Sequence, residues 1–199
     1  IVMPRFTPGV KVAATEGFGA EVVLHGDTLE AARAHARALA EQQGLSFIHP
    51  YDDDAIMAGQ GTVALEMLQD QPDIDTLVVP VGGGGLLAGM ATAARALRPV
   101  HLGLSQSEGP LASAASPLGQ RTLPEAQSER GDLSPSDRPL SIIGVQTERF
   151  PGMVNLVTGS AHTQGLSTIA EGIAVGTPGK RCAEVIRAQV DQLLLVDEA

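Results

Sequence analysis

The amino-acid sequence predicts an α/β fold with a mainly parallel sheet. Short apolar runs of strand character alternate with longer alanine- and leucine-rich runs at helical spacing. Capping residues punctuate the helical runs: Asp27 and Thr28 precede one, and Gly44 closes it. Four consecutive glycines, Gly82, Gly83, Gly84 and Gly85, separate one strand run from the next helix run. Ligands of such sheets bind at the carboxyl ends of the strands, where these glycines fall.

In chain order, residues 10–16 predict a helix and 21–24 a strand. Leu29, Ala32, Ala36 and Leu39 recur at helical spacing and predict a helix over 28–43. A second strand is expected at 46–49 and a helix at 57–69. The Asp52-Asp53-Asp54 run before that helix reads as turn and N-cap carboxylates rather than a hard-cation site. Residues 76–81 predict a strand and 86–97 a helix, with Gly89 one turn in as a point of close packing. Strands at 141–146 and 192–196 and helices at 150–157 and 179–190 complete the pattern. Residues 101–139 interrupt it. Their prolines (Pro110, Pro117, Pro124, Pro135, Pro139) and serines, with no sustained apolar period, read as an irregular insertion.

Composition removes several functions. The net charge of −10, the absence of tryptophan and a single tyrosine, Tyr51, argue against nucleic acid as a partner. No apolar stretch approaches the roughly 18 residues that span a bilayer, and no signal peptide is evident at Ile1-Val2-Met3-Pro4-Arg5. Cys182 is the only cysteine, so no internal disulfide forms; it reads as a buried structural thiol, compatible with a reducing cytoplasm. His25, His35, His49, His101 and His162 form no i, i+3 or i, i+4 pair, so zinc is not expected. Ser160, Ser167 and Thr168 lie in no G-x-S-x-G elbow, which disfavours a serine hydrolase.

The glycines carry the chemistry. A strand, a loop of residues without Cβ and a helix N-terminus make an anion cradle, because backbone N–H groups approach closely and the helix dipole adds partial positive charge. Each charge-assisted N–H bond to a phosphate monoester contributes on the order of 1.5–3 kcal/mol. A Walker loop is excluded because Leu86 and Leu87 follow where lysine and serine or threonine belong. The dinucleotide fingerprint is excluded too: from Gly82 it needs glycine where Leu87 stands, and from Gly84 where Leu86 stands.

The run Val78-Val79-Pro80-Val81-Gly82-Gly83-Gly84-Gly85-Leu86-Leu87-Ala88-Gly89 resembles the tetraglycine loop of the serine/threonine dehydratases, pyridoxal-phosphate enzymes of fold type II. Further segments resemble the same family in the same order: Ile1-Val2-Met3-Pro4, Gly19-Ala20-Glu21-Val22-Val23-Leu24-His25-Gly26, His49-Pro50-Tyr51-Asp52-Asp53, Ala58-Gly59-Gln60-Gly61-Thr62, Ile142-Ile143-Gly144-Val145-Gln146 and Thr168-Ile169-Ala170-Glu171-Gly172. Threonine dehydratases, also called threonine ammonia-lyases, are the nearest in likeness. The resemblance implies the fold of the tryptophan synthase β type, mainly parallel twisted sheets flanked by helices. It places residues 1–53 in part of a small domain. Residues 54–199 then belong to part of a large cofactor-binding domain that carries the 101–139 insertion.

The resemblance further implies pyridoxal 5'-phosphate as cofactor, held by the backbone of Gly82, Gly83, Gly84, Gly85 and Leu86, with Gly172 near its ring. The implied reaction is deamination of L-threonine to 2-oxobutanoate and ammonia, as in isoleucine biosynthesis, by a cytoplasmic homo-oligomer acting on a small amino acid. Serine dehydratase, serine racemase and a non-catalytic binder of a phosphorylated ligand stay open. Some relatives hold a divalent ion where this chain has Gln146 and Gly152, so no metal is expected there. The chain has no catalytic residue of its own by this comparison: Lys11 and Lys180 lack the Ser-x-Lys-x-Arg-Gly-Ala surroundings of the lysine that bonds the cofactor. The Ser-Gly-Asn-His segment and the late serine- or cysteine-bearing glycine segment are missing too. The expectation is therefore a fragment cut at both ends and inactive alone.

Overall fold

A computed structural model describes residues 1–98 and 139–198. All of the predicted insertion except Pro139 lies outside the described residues. The chain divides into two compact units, Ile1–His49 and Pro50–Ala199.

In the first unit, strand β1 (Val2–Met3) pairs in parallel with β2 (Val23–Leu24), Val2 opposite Val23 and Met3 opposite Leu24. Helix α1 (Gly9–Gly17) connects them and buries none of its residues. Helix α2 (Leu29–Gln43) starts where Thr28 Oγ1 accepts from Ala31 N at 3.1 Å. It stops at Gly44, whose φ of 66° is the left-handed cap that glycine adopts without a Cβ penalty. The strand expected at 46–49 is absent. Its apolar side chains turn to other partners: Phe47 lies under the Arg37 guanidinium, 4.6 Å from its ring centroid, and meets His49 edge-on. A strand needs an edge to pair with, and among the described residues nothing pairs with 46–49. The short β1 was not expected from the pattern. His25 and His35, ten positions apart, stack with ring centroids 3.9 Å apart, a pairing invisible at helical spacing.

The second unit opens with α3 (Asp54–Asp70) and continues through β3 (Thr76–Pro80), α4 (Gly85–Leu97), β4 (Ser141–Thr147), α5 (Gly152–Thr158), a 3-10 turn (Glu171–Ile173), α6 (Lys180–Gln189) and β5 (Gln192–Val196). Its sheet runs β3-β4-β5 with both pairings parallel: Leu77 faces Ile142, and Val145 faces Leu194. On β3, Leu77 and Val79 are buried while Val78 is 63% exposed, so the packed face carries alternate residues. That face meets Leu87, Ala88, Ala91 and Ala94 of α4, Ala64 and Leu68 of α3, and Cys182 and Ile186 of α6 in one core. Burying Leu77, Leu87 and Ile142 contributes about 1.5–3 kcal/mol apiece.

Two glycines set the packing distances. A methyl on Gly89 would lie 2.1 Å from the Met57 carbonyl oxygen and 2.9 Å from Gly61 N, so α3 and α4 touch backbone to backbone there. A methyl on Gly144 would strike Leu193 Cδ2 at 2.4 Å and Leu87 Cδ2 at 2.6 Å, so the gap in β4 is what seats α4 on the sheet.

At the end of the sheet where the strands begin, Arg95 joins three elements. Its Nη1 donates to Leu140 O at 2.6 Å, its Nε to Gln189 O at 3.1 Å, and its Nη2 pairs with Asp191 Oδ2 at 2.6 Å. Asp191 Oδ2 also accepts from Ile142 N at 2.7 Å. Arg98, 4% exposed, donates to the carbonyls of Ile74 and Pro72. No helix among the described residues is long and apolar enough to cross a membrane.

Candidate functional site

The tetraglycine loop lies at the opposite end of the sheet, directly after β3. Val81 N donates to Val145 O at 2.8 Å and closes the ladder. Ala88 N donates to Gly84 O at 2.9 Å and is the first amide of α4 to find a helical acceptor. Between them, the N–H groups of residues 82–87 find no acceptor among the described residues. Four of the six belong to the helix N-terminus, where the geometry leaves donors open; Gly82 and Gly83 add two more. Gly83, Gly84, Gly85 and Leu87 are buried residues, and a buried donor left without a partner costs about 1–3 kcal/mol. Open donors at a helix N-terminus are what an anion satisfies.

The glycines are needed because protein crowds the loop. A methyl on Gly83 would lie 2.4–2.5 Å from the Tyr51 ring, and one on Gly85 3.0 Å from Tyr51 Cβ. Gly84, at φ +97°, would push a methyl to 2.4 Å from Met153 Cε and 2.9 Å from Cys182 Cβ. Gly82 faces the 3-10 turn, with Ile173 Cα 3.0 Å and Val175 Cγ2 3.2 Å from where its Cβ would stand. The loop is thus wedged between Tyr51, the start of α6 and the 171–175 segment. No lysine or arginine is among the atoms met by these four positions.

The three aspartates before α3 divide their work. Asp53 Oδ1 caps α3, accepting from Ala55 N at 2.9 Å and Ile56 N at 3.3 Å. Asp54 pairs with Arg181 at 2.7 Å on the surface. Asp52 instead caps α6, accepting from Lys180 N and Cys182 N, each at 3.1 Å. The cap expected of this run is therefore real for Asp53, while Asp52 serves a helix that begins 128 positions later, which no local pattern reports. Its only sequence signal is membership of the His49-to-Asp53 motif.

Of the other residues singled out by sequence, Gly172 sits exposed in the 3-10 turn, one residue before the Ile173 that backs Gly82, with open space where a side chain would go. Lys11 lies on α1 in the first unit, and Lys180 is the exposed first residue of α6. Gln146 is fully buried and its Oε1 accepts from Val154 N at 3.0 Å, fixing the first turn of α5; Gly152 packs beside Pro178. Among the described residues no three metal-ligand side chains come together. Cys182 is buried under Gly84, with its Sγ 3.3 Å from Tyr51 O and 3.7 Å from Met57 Sδ. Burial first, and the Asp52 carboxylate second, push its thiol up to about 12.

Residues 1–130 match the family model described as pyridoxal-phosphate dependent enzyme. Over its whole length the chain is 34% identical to L-threonine ammonia-lyase of Thermotoga maritima and 36% identical to L-threonine dehydratase catabolic TdcB of Staphylococcus aureus. It spans 40% and 46% of those two proteins, less than half of each. The processed form of threonine deaminase isoform 2 from Solanum lycopersicum superposes on 99% of the chain with a TM-score of 0.70 at 30% identity, the match covering 44% of that protein. The matched region includes the tetraglycine loop and the sheet that presents it. The chain belongs to the pyridoxal-phosphate dependent enzyme family.

Proposed function

We propose that this chain is the phosphate-anchoring part of a threonine dehydratase, with residues 82–86 holding the 5'-phosphate of pyridoxal phosphate. One observation carries the reading: six consecutive amides, two of the glycine loop and four of the helix N-terminus, lack acceptors within the described protein. The donors fit the group, since a phosphate ester offers several oxygens to successive N–H groups of a loop and helix start. When bound, pyridoxal phosphate supplies the electron sink that loosens bonds at an amino acid's α-carbon. The chain's own part is to bind and orient. The loop would hold the anionic tail, with Ile173 behind Gly82, and Gly172 is the residue the resemblance assigns to the ring side.

The two units correspond, on this reading, to parts of the family's small domain and its larger cofactor-binding domain. The substrate is L-threonine, with L-serine as the competing choice, and the products are 2-oxobutanoate and ammonia. The names of the relatives favour threonine. The complete protein acts as a cytoplasmic homo-oligomer. Neither Lys11 nor Lys180 serves as the cofactor lysine, so the 199-residue chain by itself does not release 2-oxobutanoate.

Equilibrium dialysis of the 199-residue chain against pyridoxal 5'-phosphate and against pyridoxal tests the anchor. Tighter retention of the ester than of the phosphate-free aldehyde is expected, and Gly84→Asp abolishes the difference. Equal retention of both ligands by the unaltered chain refutes the anchor. Borohydride reduction followed by digestion is expected to leave no stoichiometric adduct on either lysine; such an adduct refutes the assignment of catalysis elsewhere.

A further inference from the structure

We propose that Tyr51 and Asp52 are positioning residues for the anion loop, fastening it to the first turn of α6; the proposal rests on the phosphate-anchor reading. Two adjacent side chains divide the span: Tyr51 reaches the loop and the segment just before α6, and Asp52 reaches the start of α6. The Tyr51 ring lies against Gly83, and its hydroxyl donates to Thr177 O at 2.6 Å. The Asp52 carboxylate accepts from Lys180 N and Cys182 N. Between these anchors the loop touches the helix start directly, Gly179 N donating to Gly83 O at 2.9 Å. Gly179 has no room for a side chain, because a methyl would lie 2.4 Å from Asp52 Oδ1. The Tyr51 backbone is equally close to the other end of the loop, its carbonyl oxygen 3.0 Å from where a Gly85 Cβ would stand.

Charge sharpens the inference. A carboxylate beside an anion site repels the anion unless its field is absorbed. Here the N-terminal dipole of the ten-residue α6 and two of its amides absorb it. Positioning and repulsion therefore make opposite predictions for loss of Asp52. If positioning dominates, removing the carboxylate frees α6, loosens the Gly179–Gly83 bond and weakens phosphate binding. If repulsion dominates, the same change tightens it.

The test uses the 199-residue chain carrying Asp52→Ala, Asp52→Asn, Tyr51→Ala or Tyr51→Phe. Dissociation constants are measured for pyridoxal 5'-phosphate and for pyridoxal, beside amide hydrogen exchange at Gly179. Asp52→Ala and Tyr51→Ala are expected to weaken the phosphate ester by about tenfold, one hydrogen bond's worth to a charged group, and to leave pyridoxal unchanged. Asp52→Asn, which keeps one of the two acceptor oxygens and loses the charge, restores part of the affinity. Gly179 exchange quickens in Asp52→Ala and in Tyr51→Phe, the mildest change and the one that keeps the ring.

Tighter binding in Asp52→Ala or Asp52→Asn overturns the proposal, as does equal weakening of both ligands, the mark of a purely structural role. If the alanine variants do not fold, unchanged Gly179 exchange in Tyr51→Phe overturns it as well. Failure of the anchor reading looks different: the unaltered chain then shows no preference for the ester, while the effect on Gly179 exchange persists.

Discussion

Gly84→Ala isolates what the loop demands of its backbone. Gly84 sits at φ +97°, and holding an L-residue in the left-handed region costs roughly 1–2 kcal/mol. The new methyl would stand 2.4 Å from Met153 Cε, 2.9 Å from Cys182 Cβ and 3.2 Å from Ile186 Cδ1. The methionine tip can swing aside, but the cysteine Cβ is fixed to α6, so the helix must shift by some tenths of an ångström. Overpacking of this kind costs about 1–3 kcal/mol. The expected loss is therefore roughly 2–5 kcal/mol, against total stabilities of about 5–15 kcal/mol for a typical domain. Urea unfolding with linear extrapolation measures it. Met153→Ala in the same background isolates the methionine's share, because it relieves that clash and leaves the backbone cost and the Cys182 contact. The double variant should be less destabilised than the sum of the two single ones. Loss of under about 0.5 kcal/mol on Gly84→Ala, the range of ordinary surface changes, would refute both the strained φ and the crowding.

Three further outcomes follow from named contacts. Asp191→Ala removes the carboxylate partner of the largely buried Arg95 guanidinium and frees the Ile142 amide, so unfolding free energy should fall by about 3–5 kcal/mol; a fall under 1 kcal/mol in urea titration contradicts that. Glu198 accepts from Thr168 Oγ1, Thr147 Oγ1 and Ile169 N, which hold its carboxyl below the usual range, the Thr168 bond foremost. A depressed folded-state value means the latch is fully present above the unfolded carboxylate pKa of about 4.3 and is lost as pH falls through the lower one. The protection of the Ile169 amide, its exchange relative to the intrinsic rate at each pH, should fall across that acid window, and Glu198→Gln should remove that change; protection that ignores pH in the parent chain counts against the latch. Cys182, buried with its thiol pushed up to about 12, should resist iodoacetamide at pH 8 while folded and react once unfolded in urea. Fast labelling of the folded chain would show that α6 opens.

The sequence announces its fold where local chemistry decides. The glycine run between β3 and α4, the Thr28 and Gly44 caps of α2 and the close approach implied by Gly89 all depend on residues within a turn of one another. Residues 46–49 mislead because a short apolar run states only that its side chains avoid water. Whether it pairs depends on a neighbouring edge, and Phe47 finds Arg37 instead. The anion loop is legible through its glycines, although the amides without acceptors extend one residue further than the expected set, to Leu87. What surrounds the loop is not legible. Tyr51 and Asp52 meet their partners across more than 120 positions, and no periodicity encodes that meeting.

Arg95 grips the start of β4 from the last turn of α4, so the scaffold is pinned on both sides of residues 99–138. The pin stands at the strands' starting end, a full strand length from the glycines. Lengthening a connection between fixed margins costs only about 0.6 kcal/mol per doubling. A change in the length of that stretch is thus held a whole strand away from residues 82–86, the segment proposed to hold the phosphate.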